Sequence, residues 1–292
     1  MKAKTLVKFL LGILLVGGIA AGAWWSLRPR PLPVEIATVK RGPYEQQVVE
    51  EGKTRAREVY QILSPVLGNL RRVQVHPGDR VKEGDLLAVV DRPDYWPIKA
   101  PVSGRVLRVQ RESGGPIQRG DLVMELADPG SLEAYSEVLT EDALGIKPGD
   151  PVRMESFGEC PPLAGKVRIV EPAAFTKVSA LGIEEQRVKV ILDFEGPTSA
   201  CPGLADGFRL NNYILTFRTA DALTVPIGAL FREGKDWLVF RVVAGRARKA
   251  KVEVLRRNPE QAMLGAGLRE GDQVVVYPSD ELREGMRVEA MK

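Results

Sequence analysis

One histidine, His76, serves a chain of 292 residues, and that scarcity excludes a good deal. A zinc site built on two or three histidines is ruled out, and so is an HExxH helix. A Ser/His/Asp triad would have to use His76, which stands in Val-His-Pro-Gly-Asp, the sequence of a β-turn. An exposed turn residue is the plain reading of it, with pH sensing as the alternative. No G-x-x-x-x-G-K-[ST] loop occurs, so any energy from nucleotide hydrolysis must come from a partner. Long blocks of like charge are missing too. Lys+Arg number 42 against 38 Asp+Glu, and the resulting +4 is spread along the chain, which argues against a nucleic-acid binder. Cysteine is limited to Cys160 and Cys201, and neither has an evident base to make it a nucleophile.

The one long hydrophobic run comes first. Phe9 to Trp25 is uncharged, preceded by Lys2, Lys4 and Lys8 and closed by Trp24 and Trp25. As a helix it would be about 25 Å long, near the lower limit for spanning a bilayer. The lysines predict a cytoplasmic N-terminus, with everything after Leu27 exported. Ala21-Gly22-Ala23 also resembles a signal-peptidase site, so a cleaved signal remains the alternative to an anchor over 9–27. Either way the body is exported. Arg28 to Pro33 reads as an extended, proline-rich spacer.

Beyond it the chain reads as mainly β. Apolar residues alternate over Arg187 to Phe194, and Lys166 to Val170, Trp237 to Val243, Lys251 to Leu255 and Gln273 to Tyr277 behave similarly. Glycine (29) and proline (21) punctuate many short strands. One short helix is expected at Thr140 to Ile146, capped by Thr140.

An internal repeat is the most informative feature. Ser64 to Val90 aligns without gaps on Ala100 to Leu126, each residue 36 positions from its partner. Pro65/Pro101, Gly68/Gly104, Val73/Val109, Gly78/Gly114, Gly84/Gly120 and Asp85/Asp121 all match. Each copy reads as strand, turn, strand. Gly78, Gly84, Gly114 and Gly120 are expected structurally, where the chain reverses at positive φ. Neither copy can bury its apolar face alone, so the two should close as a flattened sandwich. The pattern resembles biotinyl and lipoyl domains. Those carry a cofactor on a turn lysine in Met-Lys-Met or Asp-Lys-Ala; the connector here, Asp91 to Lys99, has neither, so no cofactor is expected.

Anchor, spacer, split lipoyl-like repeat and long β-rich tail, in that order, resemble the periplasmic adaptor family. These are the membrane fusion proteins, or haemolysin-secretion-D-like subunits, of bacterial export pumps. Leu126 to Val138, Ile146 to Val152, Thr224 to Leu230, Gly267 to Val275 and Leu282 to Val288 are similar to successive segments of that family's tail. The resemblance implies nested modules: a cytoplasmic tail at 1–8, the anchor, the spacer, a lipoyl-like domain at 61–128, a β-barrel from 51–60 and 129–222, and a membrane-proximal β-domain from 34–50 and 223–292. It also implies a non-catalytic adaptor with its body in the periplasm. Such an adaptor forms a homo-oligomeric ring on an inner-membrane transporter, an ABC exporter or an RND pump. Val276-Tyr-Pro-Ser-Asp280 favours the former slightly. An anchored envelope structural protein and a lipoyl carrier are the alternatives.

Most members of the family place a long helical hairpin between the lipoyl halves to reach an outer-membrane channel. Asp91 to Lys99, with two prolines, has no room for one, so direct channel contact is not expected. Tyr95 and Trp96 then become candidates for a contact surface at the loop tip, unless Trp96 folds back over the sandwich edge. Arg246, Arg248, Lys249, Lys251, Arg256 and Arg257 surround one apolar strand. They form either a solvated face or a surface for lipid phosphates or the pump rim. Pairing of Gly165 to Glu171 with Arg187 to Phe194 would bring the loops of Cys160 and Cys201 to one end of the barrel. A disulfide is expected there, with two independent thiols as the alternative.

Overall fold

A computed structural model describes residues 31–91, 93–128, 130–156, 158, 160–196, 201 and 203–291. The candidate anchor lies outside these residues; within them no helix is long and apolar enough to cross a membrane. The first half of the expected spacer also lies outside the described residues, and its last two residues are not spacer. Leu32 and Pro33 already belong to the strand Leu32–Thr38, which pairs in parallel with Val288–Ala290.

The described chain is mainly strand and separates into two compact units, 47–217 and its flanks 31–46 with 218–291. The strands expected from alternation are present, several of them longer. Arg187 to Phe194 lies within Glu184–Phe194, and Lys166 to Val170 within Leu163–Val178. The helix is a single turn, Thr140–Ala143, and Thr140 does not cap it. The strand Leu132–Leu139 runs straight into the turn, so the capping position falls on Leu139, which has no side-chain acceptor.

Within 47–217, residues 59–127 form two four-stranded sheets around one apolar core. One sheet orders Val59–Leu63, Leu122–Ala127, Gly104–Val109 and Arg80–Val81; the other orders Tyr95–Lys99, Leu86–Asp91, Gly68–Leu70 and Gly115–Ile117. Each strand of one sheet has its counterpart 36 residues away in the other. The copies therefore interleave: each sheet takes strands from both halves of the repeat. The same relation governs the turns. Gly84 donates its N–H to the Ala100 carbonyl and Ala100 donates to that of Asp85; Gly120, Ser64 and Asp121 repeat the exchange, all at 2.8–2.9 Å. Asp85 Oδ2 accepts from the Lys82 N–H at 2.7 Å, and Asp121 Oδ2 from that of Gln118 at 3.0 Å.

This turn recurs elsewhere in the chain, once inside the first copy of the repeat and twice outside it. His76 to Asp79, Lys147 to Asp150 and Arg269 to Asp272 have the same glycine third, aspartate fourth, and the same carboxylate closing on the first N–H. In each, the glycine N–H and the aspartate carbonyl grip one buried strand residue: Val106, Val167 or Val39. Gly78, Gly84 and Gly120 have φ of +96°, +86° and +91°, as type II turns require. Gly114 differs from the expectation. Its φ is not positive; a Cβ there would come within 2.9 Å of the Leu70 carbonyl oxygen, so glycine is needed for a close backbone approach.

The rest of 47–217 is a closed six-stranded β-barrel. Pro151–Ser156 pairs with Leu163–Val178, and that strand pairs with Glu184–Phe194. The order continues through Leu132–Leu139 and Lys40–Ala56 to Arg209–Pro226, which returns to Pro151–Ser156. Its core is apolar (Val138, Met154, Val190, Leu192, Ile214) except for Asn212, which donates to Ser136 Oγ at 2.8 Å. Gly52 faces this pair, and a Cβ there would meet Asn212 Nδ2 at 2.2 Å and the Tyr135 carbonyl at 2.3 Å. In the other unit, Asp236–Val243, Arg246–Arg257, Gln261–Ala266 and Gln273–Val276 form the body of a sheet with Leu32–Thr38.

Candidate functional site

Asp91 and Tyr95 are joined by a tight hairpin between Leu86–Asp91 and Tyr95–Lys99, so no helical insertion separates the sandwich halves. Tyr95 and Trp96 are not at a loop tip. They open the edge strand of their sheet, where Pro97 removes one ladder donor. Both are accessible, at 55 % and 46 % exposure. Trp96 pairs with buried Val90, which puts it on the core-side face of its sheet, at the edge of the sandwich and half exposed. Arg71 lies 5.6 Å from the Tyr95 ring centroid and donates to both carboxylate oxygens of Asp91, at 3.0 and 2.9 Å. That hydrogen bond holds Asp91 below the usual carboxylate range. Lys99 ends the edge strand, and His76 is 71 % exposed in its turn.

The basic strand Arg246–Arg257 is less available than its charge suggests. Lys249 bonds Glu233 at 2.9 Å, Lys251 bonds Asp236 at 2.7 Å, and Arg246 donates to the Gly285 carbonyl. Arg256 donates to Gln46 Oε1, and Arg257 stacks 5.0 Å from Trp237, whose ring Arg232 also approaches at 4.8 Å. Arg248 is exposed, across from Arg241 on the next strand.

Cys160 and Cys201 are joined by a disulfide, with Cα atoms 5.0 Å apart. It borders an apolar cavity of about 510 Å³ that Leu204 and Phe208 also line.

Two features escaped the sequence reading. Glu133 is buried on the outer barrel face, 2 % exposed, under three arginines. Arg55 Nε lies 2.6 Å away and Arg57 Nε 3.4 Å away, Arg168 bonds the second oxygen, and Arg57 also holds Asp193 at 2.6 Å. Glu133 faces both Arg55 and Asp193 across the ladder, so the arginines offset a repulsion between neighbouring carboxylates. The spacing of Arg55 and Arg57, two apart at the end of the strand Lys40–Ala56, was the available signal. The second feature is a charged groove of about 490 Å³ containing Glu50, Lys53, Glu137, Lys177, Glu185 and Arg187. Burial pushes the Glu50 carboxyl above its ordinary range, an effect the Arg187 guanidinium at 3.4 Å only partly offsets.

The barrel-sandwich hybrid domain of RND membrane fusion proteins matches residues 58–174, and the C-terminal permuted SH3-like domain of YknX matches 222–290. These two matches support a periplasmic adaptor of the membrane fusion type. Over 173 residues the chain is 26 % identical to a putative efflux system component, YknX of Bacillus subtilis. That match takes in 58 % of this chain but only 45 % of the relative's own length. Among solved structures it superposes on MacA from Actinobacillus actinomycetemcomitans with a TM-score of 0.67. The identity is 18 %, over 83 % of this chain and 99 % of that one. A MacA–MexA chimera carrying the α-hairpin domain of Pseudomonas aeruginosa MexA gives 0.62 at 19 % identity, with the same coverage. These likenesses establish the shared fold.

Proposed function

We propose that this chain is a membrane fusion protein that acts as a non-catalytic adaptor. It assembles as a homo-oligomer on a membrane transporter and couples that transporter to extrusion of its substrate. The observation that carries the reading is the coexistence of a family-type sandwich and barrel with the three-residue hairpin between Asp91 and Tyr95. A body of this kind offers surfaces rather than chemistry, and the short hairpin supports an adaptor that makes no direct contact with an outer-membrane channel.

In this reading residues 9–27 anchor the chain in the inner membrane, and the body works on the periplasmic side. In sequence, the lipoyl-like domain at 61–128 interrupts the barrel, and the barrel in turn interrupts the membrane-proximal domain. An ABC exporter is the preferred partner over an RND pump. Tyr95 and Trp96 are the first contact surface, supported by their exposure on an edge strand. The basic strand is the second, supported by exposed Arg248 and by the Arg232–Trp237–Arg257 stack.

The test is mild cross-linking of intact membranes, followed by affinity purification of the full chain and mass spectrometry. A polytopic transporter in near-stoichiometric amount is expected, and its type assigns the pump class. Recovery of the chain alone overturns the adaptor reading.

A further inference from the structure

The strands Leu163–Val178 and Glu184–Phe194 pair with each other well beyond their other neighbours. Leu132–Leu139 follows Glu184–Phe194 only as far as Arg187, and Pro151–Ser156 follows Leu163–Val178 only as far as Lys166. From Thr176 and Gln186 outward the two strands form a free ribbon. It ends in six uncharged residues, Val178-Ser-Ala-Leu-Gly-Ile183. Three of these are large and apolar and stand in solvent: Val178 at 61 %, Leu181 at 86 % and Ile183 at 59 % exposure.

A two-stranded ribbon in water is marginal by itself. This one is held in shape from tip to base. Ser179 donates its N–H to the Ile183 carbonyl at 2.8 Å, and Gly182, at a φ of +79°, donates to that of Ser179 at 2.9 Å. Ile183 N–H reaches Ser179 Oγ at 3.2 Å, and Gln186 donates to Thr176 Oγ1 at 2.7 Å. At the base, Lys177 bonds Glu137 at 2.6 Å, while Arg187 ties Glu185, Glu50 and the Glu137 carbonyl together. The charged groove is thus the ribbon's footing. An ordered tip forfeits little entropy on contact, and apolar side chains concentrated on such a projection mark a surface meant to be covered. Next to the tip stands exposed Glu184, whereas Glu185 is bridged to Arg187 and faces Lys177 across the ladder.

We propose that Val178, Leu181 and Ile183 form a docking knob for the extracytoplasmic part of the transporter, seated in an apolar pocket with a basic rim. Charge complementarity to exposed Glu184 selects such a pocket. The proposal rests on the adaptor reading and adds a third contact surface to it.

The test uses the full-length chain in membranes, with a photo-cross-linking residue at position 181 and parallel purifications of variants. Wild type and Leu181→Met should recover the same transporter, and the label should cross-link to it. Leu181→Asp, at a site too exposed to disturb the fold, should keep the wild-type melting temperature and lose about tenfold of that recovery. Glu184→Lys should reduce recovery further below wild type as the salt concentration falls. Undiminished recovery with Leu181→Asp overturns the knob, as does cross-linking only to a second copy of the chain. A wild-type chain that recovers no transporter removes the adaptor reading itself, and the knob with it.

Discussion

The sandwich and the barrel lie within one compact unit yet are held together by opposite means. In the sandwich each strand has a counterpart 36 residues away, as does the Lys82–Asp85 turn with its exchange to a neighbouring strand residue, and the core is apolar throughout. The barrel has no repeat. It relies on contacts that occur once: the Asn212–Ser136 pair, the close approach at Gly52, the arginines over Glu133, and the disulfide. A structure built from repeated local instructions spreads a defect over equivalent sites. One built from unique long-range contacts has no substitute for any of them.

The sharpest way to separate the two is to remove the disulfide. For loop ends 41 residues apart in sequence, the chain-entropy model gives a loss of about 4 kcal/mol. In Cys160→Ser/Cys201→Ser, hydrogen exchange should show lost protection in the barrel strands while Leu86–Asp91 and Leu122–Ala127 stay protected. Equal loss in both regions would mean that they unfold as one, and the contrast would fail. Glu133→Ala comes next. It leaves three arginines facing one another, and breaking such a buried cluster costs about 3 kcal/mol, readable in urea titrations. Gly120→Ala in the sandwich should cost only about 1 kcal/mol, because the space is open and only the positive φ is penalised.

The smallest effect concerns pH. The Glu50 carboxyl is raised in the folded protein, so the fold favours its protonated form. Whatever stability that preference supplies is complete below the ordinary glutamate value and is lost as pH rises through the raised one. Glu50→Gln should therefore be slightly more stable than wild type at neutral pH, with the difference closing in acid. Thermal melts from pH 4 to 8 check this. A difference that grows in acid would show that the Arg187 bridge outweighs burial.

Much of this was legible before any coordinates. The 36-residue repeat, the Gly-Asp turns and the alternating strands are local: a glycine at the third position of a turn, or an apolar residue at every second position, acts on its immediate neighbours. The shortness of Asp91 to Lys99 was legible for the same reason, since nine residues leave no room for two helices. Gly114 shows the limit. Its place in the repeat marked it correctly as a required glycine, but the reason is the Leu70 carbonyl, more than 40 residues away in sequence. Tyr95 and Trp96 similarly read as a loop because nothing local reveals the partner strand Leu86–Asp91.

By itself, then, the sequence determined that this is a β-rich chain with a duplicated sandwich, where its turns fall, and that no helical hairpin divides it. Tertiary structure alone decided that each sheet takes strands from both copies. It also decided that Glu133 is buried under Arg55, Arg57 and Arg168, that most of the basic strand is already engaged, and that Leu181 stands exposed at the end of a ribbon. The physical reason is the same in each case. Turn geometry and strand alternation are set by neighbours along the chain, whereas burial, ion pairing and exposure are set by which distant strands close the sheet.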